Sequence, residues 1–329
     1  MKVLVTGAAG FIGHALAKLL LKEGAEVVGI DNFTHYYNTD LKRARLADLG
    51  TTANQQRCAD RFHFEMVDIT NAGAINGLFA EQGFTHVCNL AGQPGVRYSL
   101  DHPMSYVQAN VVGFVNLLEA CRHHGRPRFV YASSSSVYGM QDHVPFHEDD
   151  RTDHPVSLYA ATKKSDEVMA YAYSQLFGLQ TVGLRFFTVY GPWGRPDMAP
   201  LKFMKAIDEG SEIQVYNHGD MLRDFTYIDD IAEGVARVLR GDDRRDIPAR
   251  IYNIGNSEPV RLLDFIQCLE ATMGKKANLR MVGMQPGDVT RTYADSAALQ
   301  RDYGYRPATD IATGVARLYD WFKQYRSLF

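Results

Sequence analysis

Two spacings of apolar positions take turns along the first half of the chain. Short apolar runs at 1–5, 26–31, 62–67, 85–91, 128–133 and 181–186 read as buried strands. Between them, apolar residues recur at helical spacing over 14–23, 71–82, 104–123 and 157–177. Strands alternating with helices predict parallel pairing through helical crossovers, an α/β, doubly wound sheet. After Gly191 the texture changes. A turn-rich loop at 191–197 precedes a helix at 199–209, a strand at 212–216, a helix at 229–240 and a strand at 250–255 that returns to the first sheet. The rest reads as mainly two helices and a loop. This predicts a first domain of 1–190 plus 224–255, a smaller mixed C-terminal lobe of 191–223 plus 256–329, and a cleft between them.

The bulk numbers narrow the class. At 329 residues, 46% hydrophobic and 22% charged, the chain can bury a full core. A net charge of −3 gives no basic face for nucleic acid or an anionic membrane surface. No apolar run is long enough to span a bilayer, and the apolar N-terminus lacks the central apolar region of a signal peptide. Cys58, Cys88, Cys121 and Cys268 are scattered without paired spacing and read as reduced thiols. A cytoplasmic location is expected. His143, His147, Asp149, Asp150 and His154 crowd one stretch, but nothing in their spacing fixes a metal geometry, so no metal is expected.

The first chemistry lies where the first strand turns into the first helix. Gly7, Gly10 and Gly13 punctuate that turn, and Asp31 ends the second strand eighteen residues later. Glycine allows a tight turn and close backbone approach to a pyrophosphate. The unpaired first-turn amides and the helix dipole favour an anion there. A carboxylate at Asp31 suits both ribose hydroxyls and repels a 2′-phosphate, which favours NAD over NADP. The same glycines also occur in turns of other α/β proteins; the flanking strands and helix favour the dinucleotide.

Two further groups carry candidate chemistry. Tyr159 and Lys163 stand at i and i+4, on one face of the helix expected at 157–177. A neighbouring ammonium favours phenolate over phenol, making Tyr159 a candidate general base. The spacing also fits a plain aromatic–cation pair on a solvated helix face. Ser133 to Ser136 end a strand, where ligands of doubly wound sheets bind, although a polar strand-to-loop turn would look the same. No Gly-x-Ser-x-Gly elbow points to a serine hydrolase.

Together these motifs resemble the extended short-chain dehydrogenase/reductases, and within them the NAD-dependent nucleotide-sugar epimerases. The finer resemblance is to UDP-glucuronate 4-epimerases. It rests on Asp31-Asn32-Phe33 with Tyr36-Tyr37, Gly95-Val96-Arg97-Tyr98-Ser99, the stretch from Tyr131 to Gly139, and that from Pro155 to Lys164. It also rests on Arg185 to Met198, Tyr216-Asn217-His218-Gly219, Arg223 to Asp230, and Gln285-Pro286-Gly287-Asp288-Val289. The resemblance implies a Rossmann-type fold and an isomerase that oxidises a UDP-sugar transiently at C4. Tightly bound NAD takes the hydride and returns it to the opposite face of a 4-keto intermediate. Ser134, Tyr159 and Lys163 would be catalytic. Gly7, Gly10, Phe11, Ile12, Gly13, Asp31, Asn32, Asp68, Ile69, Leu90 and Ala91, with Tyr159 and Lys163, would hold the cofactor. A homodimer through helices 104–123 and 157–177 is implied too.

Three positions separate this group from its relatives. An Asp-Glu pair at Ser135 and Ser136 would imply a 4,6-dehydratase, a glutamate at Ser136 a decarboxylase, and an asparagine at Thr188 a UDP-galactose 4-epimerase. Ser135, Ser136 and Thr188 instead suit an anionic carboxylate, and Arg195 would pair with it, although a phosphate contact or a surface ion pair also fits Arg195. Arg223 and Arg97 are assigned to the UDP diphosphate (Arg97 to either diphosphate), Val215 and Tyr216 to the uracil, and Asp288 to the uridine ribose. Asn89 is given no chemistry, and Asn110 is read as a polar anchor. The nearest alternatives are a UDP-glucose/UDP-galactose 4-epimerase, another NAD-dependent nucleotide-sugar enzyme, and a non-catalytic NAD-binding sensor.

Overall fold

The first strand explains the architecture. In β1 (Lys2–Thr6) every residue from Val3 onward is buried, with Val3 and Val5 facing one apolar layer and Leu4 the other. Only a strand covered on both faces buries successive residues in this way. In the computed structural model, which describes residues 1–55, 59–141, 143–241, 249–284 and 289–328, β1 is an inner strand of a seven-stranded sheet. The other six strands are β2 (Glu26–Asp31), β3 (Phe62–Met66), β4 (His86–Asn89), β5 (Arg128–Ser134), β6 (Thr181–Phe186) and β10 (Ala249–Ile254). They run in the order β3-β2-β1-β4-β5-β6-β10, and every pairing is parallel. The doubly wound sheet expected from the apolar runs is present, and the strand expected near 250–255 does return to it beside β6. The chain order reverses between β1 and β4, the place where ligands bind in such sheets.

Local signals place the helix ends. The helix Leu158–Phe177 begins where Ser157 accepts from the Ala160 amide and ends at Gly178 in a left-handed conformation. Asn71 likewise caps Ala72–Gln82.

Four features depart from the sequence expectation. A helix spans Thr39–Gln55, where no helix is predicted; its sequence is largely polar, so the apolar stripe is faint. The stretch expected as one helix at 104–123 is Pro103–Tyr106, a π-turn at Val107–Val112 and Gly113–His123. β7 (Thr188–Tyr190), β9 (Leu222–Tyr227) and β11 (Pro259–Arg261) form a small second sheet, so residues 222–227 are a strand leading into the helix Ile228–Arg240. The C-terminal part holds three helices, Leu262–Met273, Ala297–Tyr303 and Ile311–Tyr325, and β12 (Asn278–Met281), which pairs with β8 (Glu212–Val215).

Candidate functional site

A cavity of about 570 Å³ opens at the carboxyl ends of β1, β2, β4 and β5. At its floor Gly7 takes φ +69° to leave β1, and a Cβ on Gly13 would lie 2.1 Å from the Gly7 carbonyl oxygen. The glycines thus let helix Phe11–Lys22 start directly against the strand. Gly10 is the N-cap and no side chain caps that helix, so its first-turn amides are left for a ligand. Gly7, Gly10, Phe11, Ile12 and Gly13 all line the cavity. Behind them the Thr6 hydroxyl donates to Asn89 Oδ1 at 2.6 Å and accepts from the Ala91 amide, pinning β1 to β4. Asn89 is a structural pin, in line with giving it no chemistry.

Two acids stand at the next strand ends. Asp31 Oδ1 accepts from the Lys42 ammonium at 2.9 Å and from the Phe33 amide at 2.8 Å. Asp68 accepts from Asn32 Nδ2, from the Thr70 amide and from the Thr70 hydroxyl. Burial pushes the Asp68 carboxyl up, but those donors outweigh it and hold it below the ordinary range. Asp31, Asn32, Asp68, Ile69, Leu90 and Ala91 line the same cavity. Uncapped amides and a carboxylate at the end of β2 fit the pyrophosphate and ribose of a dinucleotide.

Past the glycine turn, the cavity wall is formed by Ser134, Ser135, Ser136, Tyr159, Lys163, Thr188 and Arg195. Ser134 ends β5 and caps the short 3₁₀ turn Ser135–Tyr138, its oxygen accepting from the Ser136 amide. The Lys163 ammonium donates to the Ala132 carbonyl at 3.0 Å and to Asp166 at 3.2 Å. Tyr159 sits edge-on to the buried Tyr106 ring, centroids 6.1 Å apart, and its hydroxyl has no hydrogen-bond partner among the described residues. Asn110, in the π-turn, holds the chain on both sides. It accepts from the Gln93 amide and donates to the Gln93 carbonyl and to the Thr162 hydroxyl, which places it as the polar anchor expected.

Arg195 enters the cavity with one edge engaged. Its Nε and Nη2 both donate to Asp197, whose second oxygen also accepts from the Tyr36 hydroxyl. The guanidinium lies over the Tyr36 ring at 5.7 Å. Burial lifts the Asp197 carboxyl, but Arg195 outweighs it and holds the group below its usual range. Burial, reinforced by Asp197, pushes Tyr36 up to about 12.

Four residues assigned to the UDP moiety lie outside the cavity wall. Arg97 and Tyr216 meet each other, the guanidinium 4.9 Å from the ring centroid. Arg223 donates to the carbonyls of Leu222, Val289 and Thr290. Val215 corrects the sequence expectation. β8 alternates exposed and buried positions, so the Val215 side chain points into the apolar core and is fully covered, leaving none of it to flank a base. Asp288 lies outside the described residues. In the histidine-rich stretch, His143 pairs with Asp150 and His147 with Asp295.

The sequence reading missed Lys42 and Arg45, which share one face of the unpredicted helix Thr39–Gln55. Arg45 is fully buried. It donates to the carbonyls of Ala9, Trp193 and Gly194 and to the Tyr37 hydroxyl, tying the glycine turn to the loop that carries Arg195. The i, i+3 spacing of two cations was the one available signal.

A doubly wound sheet whose switch point carries a glycine turn is the architecture of a dinucleotide-binding domain. The chain belongs to the NAD dependent epimerase/dehydratase family, whose model matches residues 3–255. It is 47% identical over 339 residues to Protein CapI of Staphylococcus aureus, covering 99% of both chains. It is 45% identical to UDP-glucuronate 4-epimerase 4 of Arabidopsis thaliana, over 99% of this chain and 76% of that one. A solved structure of UDP-glucuronic acid 4-epimerase from Bacillus cereus, in complex with UDP-glucuronic acid and NAD, matches with a TM-score of 0.89. That match has 36% identity and covers 98% of this chain and 99% of the other.

Proposed function

We propose that this protein is a UDP-glucuronate 4-epimerase, interconverting UDP-glucuronate and UDP-galacturonate with NAD retained through the cycle. The observation that carries the reading is one cavity wall bearing both a base pair of residues, Tyr159 and Lys163, and a set suited to a carboxylate, Ser135, Ser136, Thr188 and Arg195. The names of its relatives point the same way.

NAD, when bound, supplies a reversible acceptor for one hydride. The glycine-turn amides hold its pyrophosphate, and Asp31 and Asp68 its adenosine end. Tyr159 takes the proton of the sugar O4 hydroxyl and later gives it back, Lys163 stabilises the phenolate, and Ser134 hydrogen-bonds the same oxygen. Oxidised at C4, a glucuronate is a β-keto acid, which loses CO₂ when its carboxylate stands perpendicular to the ketone. Ser135, Ser136, Thr188 and Arg195 hold that group against rotation and donate to it. The second lobe, 191–223 with 256–329, receives the UDP portion.

Two wider features complete the reading. Among the described residues no helix is long and apolar enough to cross a membrane, and we place the enzyme in the cytoplasm. Exposed Met104, Val168, Tyr171 and Leu176 lie on the stretches 104–123 and 157–177, and we assign this face to a homodimer.

The test is incubation of the purified protein, with no added NAD, with UDP-glucuronate, UDP-glucose and UDP-xylose in turn. UDP-galacturonate from the first alone is the expected result; no turnover of any of the three would refute the reading.

A further inference from the structure

Behind Lys163 lies an acid that the reaction does not use. Asp166 is 0% exposed, one helical turn beyond Lys163. Its Oδ2 accepts from the Lys163 ammonium at 3.2 Å, and its Oδ1 is buried with no hydrogen-bond partner among the described residues. Buried carboxylate oxygens are normally paired, and its neighbour Glu167 shows the ordinary arrangement. Both Glu167 oxygens are engaged, by Arg185 in a two-pronged pair and by Ser133 and Lys164. Asp166 has Lys163 alone.

The surroundings of the pair are sparse in charge. On the same helix are Lys163, Lys164 and Glu167. β5 contributes the buried phenol of Tyr131, and β6 contributes Arg185, whose charge is met by Glu167. An ammonium has three protons. One of Lys163's goes to the Ala132 carbonyl and one to Asp166. Gly92 passes beside the nitrogen, where an added Cβ would come within 3.5 Å of it. Lys163 lines the cavity, so what it presents there depends on what grips it from behind.

We propose that Asp166 is a positioning residue that fixes the Lys163 ammonium and sets how much of its positive field reaches Tyr159. This rests on the reading of Tyr159 as the general base. Burial pushes the Asp166 carboxyl up to about 7 even against the pull of Lys163, so the pair changes charge near neutrality. Below that point the ammonium acts on Tyr159 unopposed. Above it, part of its field is cancelled by the carboxylate.

Asp166→Asn removes the opposing charge at every pH. The Tyr159 phenolate then forms more readily, and Lys163, without its counter-charge, loses its proton more readily. A limb of the kcat/KM profile with UDP-glucuronate that lies above neutrality, where the wild-type carboxyl is ionised, should therefore move to lower pH, by roughly 0.5–1 unit. A second readout needs no substrate. Ultraviolet titration of the NAD-loaded protein at the tyrosinate band, minus the same titration of Tyr159→Phe, reports the Tyr159 midpoint. In Asp166→Asn and in Asp166→Ala that midpoint should fall by a similar amount.

The fold is checked by NAD content and by melting at pH 8. There Asn, which resembles the neutral acid, should melt no lower than the wild type. If either variant keeps its NAD and neither the midpoint nor that limb moves down, the proposal is overturned. If the midpoint moves but no UDP-sugar is turned over, the role of Asp166 stands and the epimerase reading falls.

Discussion

Arg195 shows how much a single side chain can be asked to do. A guanidinium has five N–H donors in a fixed fork, and Asp197 takes two of them through Nε and Nη2. The remaining donors can meet a ligand carboxylate, with Tyr36 and Asp197 keeping the fork from swinging. Arg195→Ala should lower kcat/KM for UDP-glucuronate roughly 10–100-fold, the weight of one charged hydrogen-bonded contact. It should also divert part of the product to CO₂ and a UDP-4-keto-pentose, measured by nucleotide-sugar chromatography. Normal turnover without the pentose would exclude both roles. At this scale much was legible. Ser134, Tyr159, Lys163, Thr188 and Arg195 were each marked by residue type and motif, and all line one cavity. Asp197 was visible in its motif but not as a partner, because a carboxylate two residues from an arginine reads equally well as a solvated turn. Val215 was misplaced because a motif gives a position in the chain without saying which face of the strand it occupies.

At the level of elements, the helix Thr39–Gln55 has the largest consequence for its length. It places Lys42 on Asp31 and Arg45 on three backbone carbonyls of two different loops. Arg45→Met removes the donors and leaves those carbonyls buried, at about 1–3 kcal/mol for each one left unpaired. The variant should lose about 3 kcal/mol or more in denaturant unfolding. Its KM for the UDP-sugar should rise more than its kcat falls, since the loop of Arg195 loses its support. Unchanged stability would show that the brace is dispensable. This helix escaped the sequence reading for a physical reason: its buried face is made by Leu41, Lys42, Arg45, Leu49, Thr52 and Ala53, and three of those six residues are polar, two of them basic. The π-turn at Val107–Val112 was also invisible. A single wide turn is too short to show a spacing of its own, and it carries Asn110, whose amide meets Gln93 and Thr162. The sheet strands, by contrast, were readable because strands buried on both faces leave continuous apolar runs.

On the scale of the whole molecule, the strand order puts the glycine turn, the serine run and the tyrosine–lysine pair at one end of one sheet. That convergence followed from the alternation of strand and helix alone. The smaller sheets were less legible, since β7 and β11 are three residues each, too short to show a period. The proposed dimer face is testable at this scale. Val168 and Tyr171 are more than half exposed, so Val168→Asp combined with Tyr171→Asp should leave the fold intact. In light scattering the assembly should then shift from dimer to monomer; a wild-type protein that is monomeric at micromolar concentration would dispose of the proposal.

The loop of Arg195 also contains Trp193, and the chain has only two tryptophans. Trp193 packs on the other, Trp321, with ring centroids 5.3 Å apart, and on Tyr325 at 4.4 Å. Its carbonyl is the one that Arg45 grips twice. Both indoles of the protein therefore occupy a single spot, next to the residue that would meet the sugar acid. The intrinsic emission of this protein is a local gauge rather than an average over the fold, a dye already installed where the glycine turn is tied to the loop of Arg195.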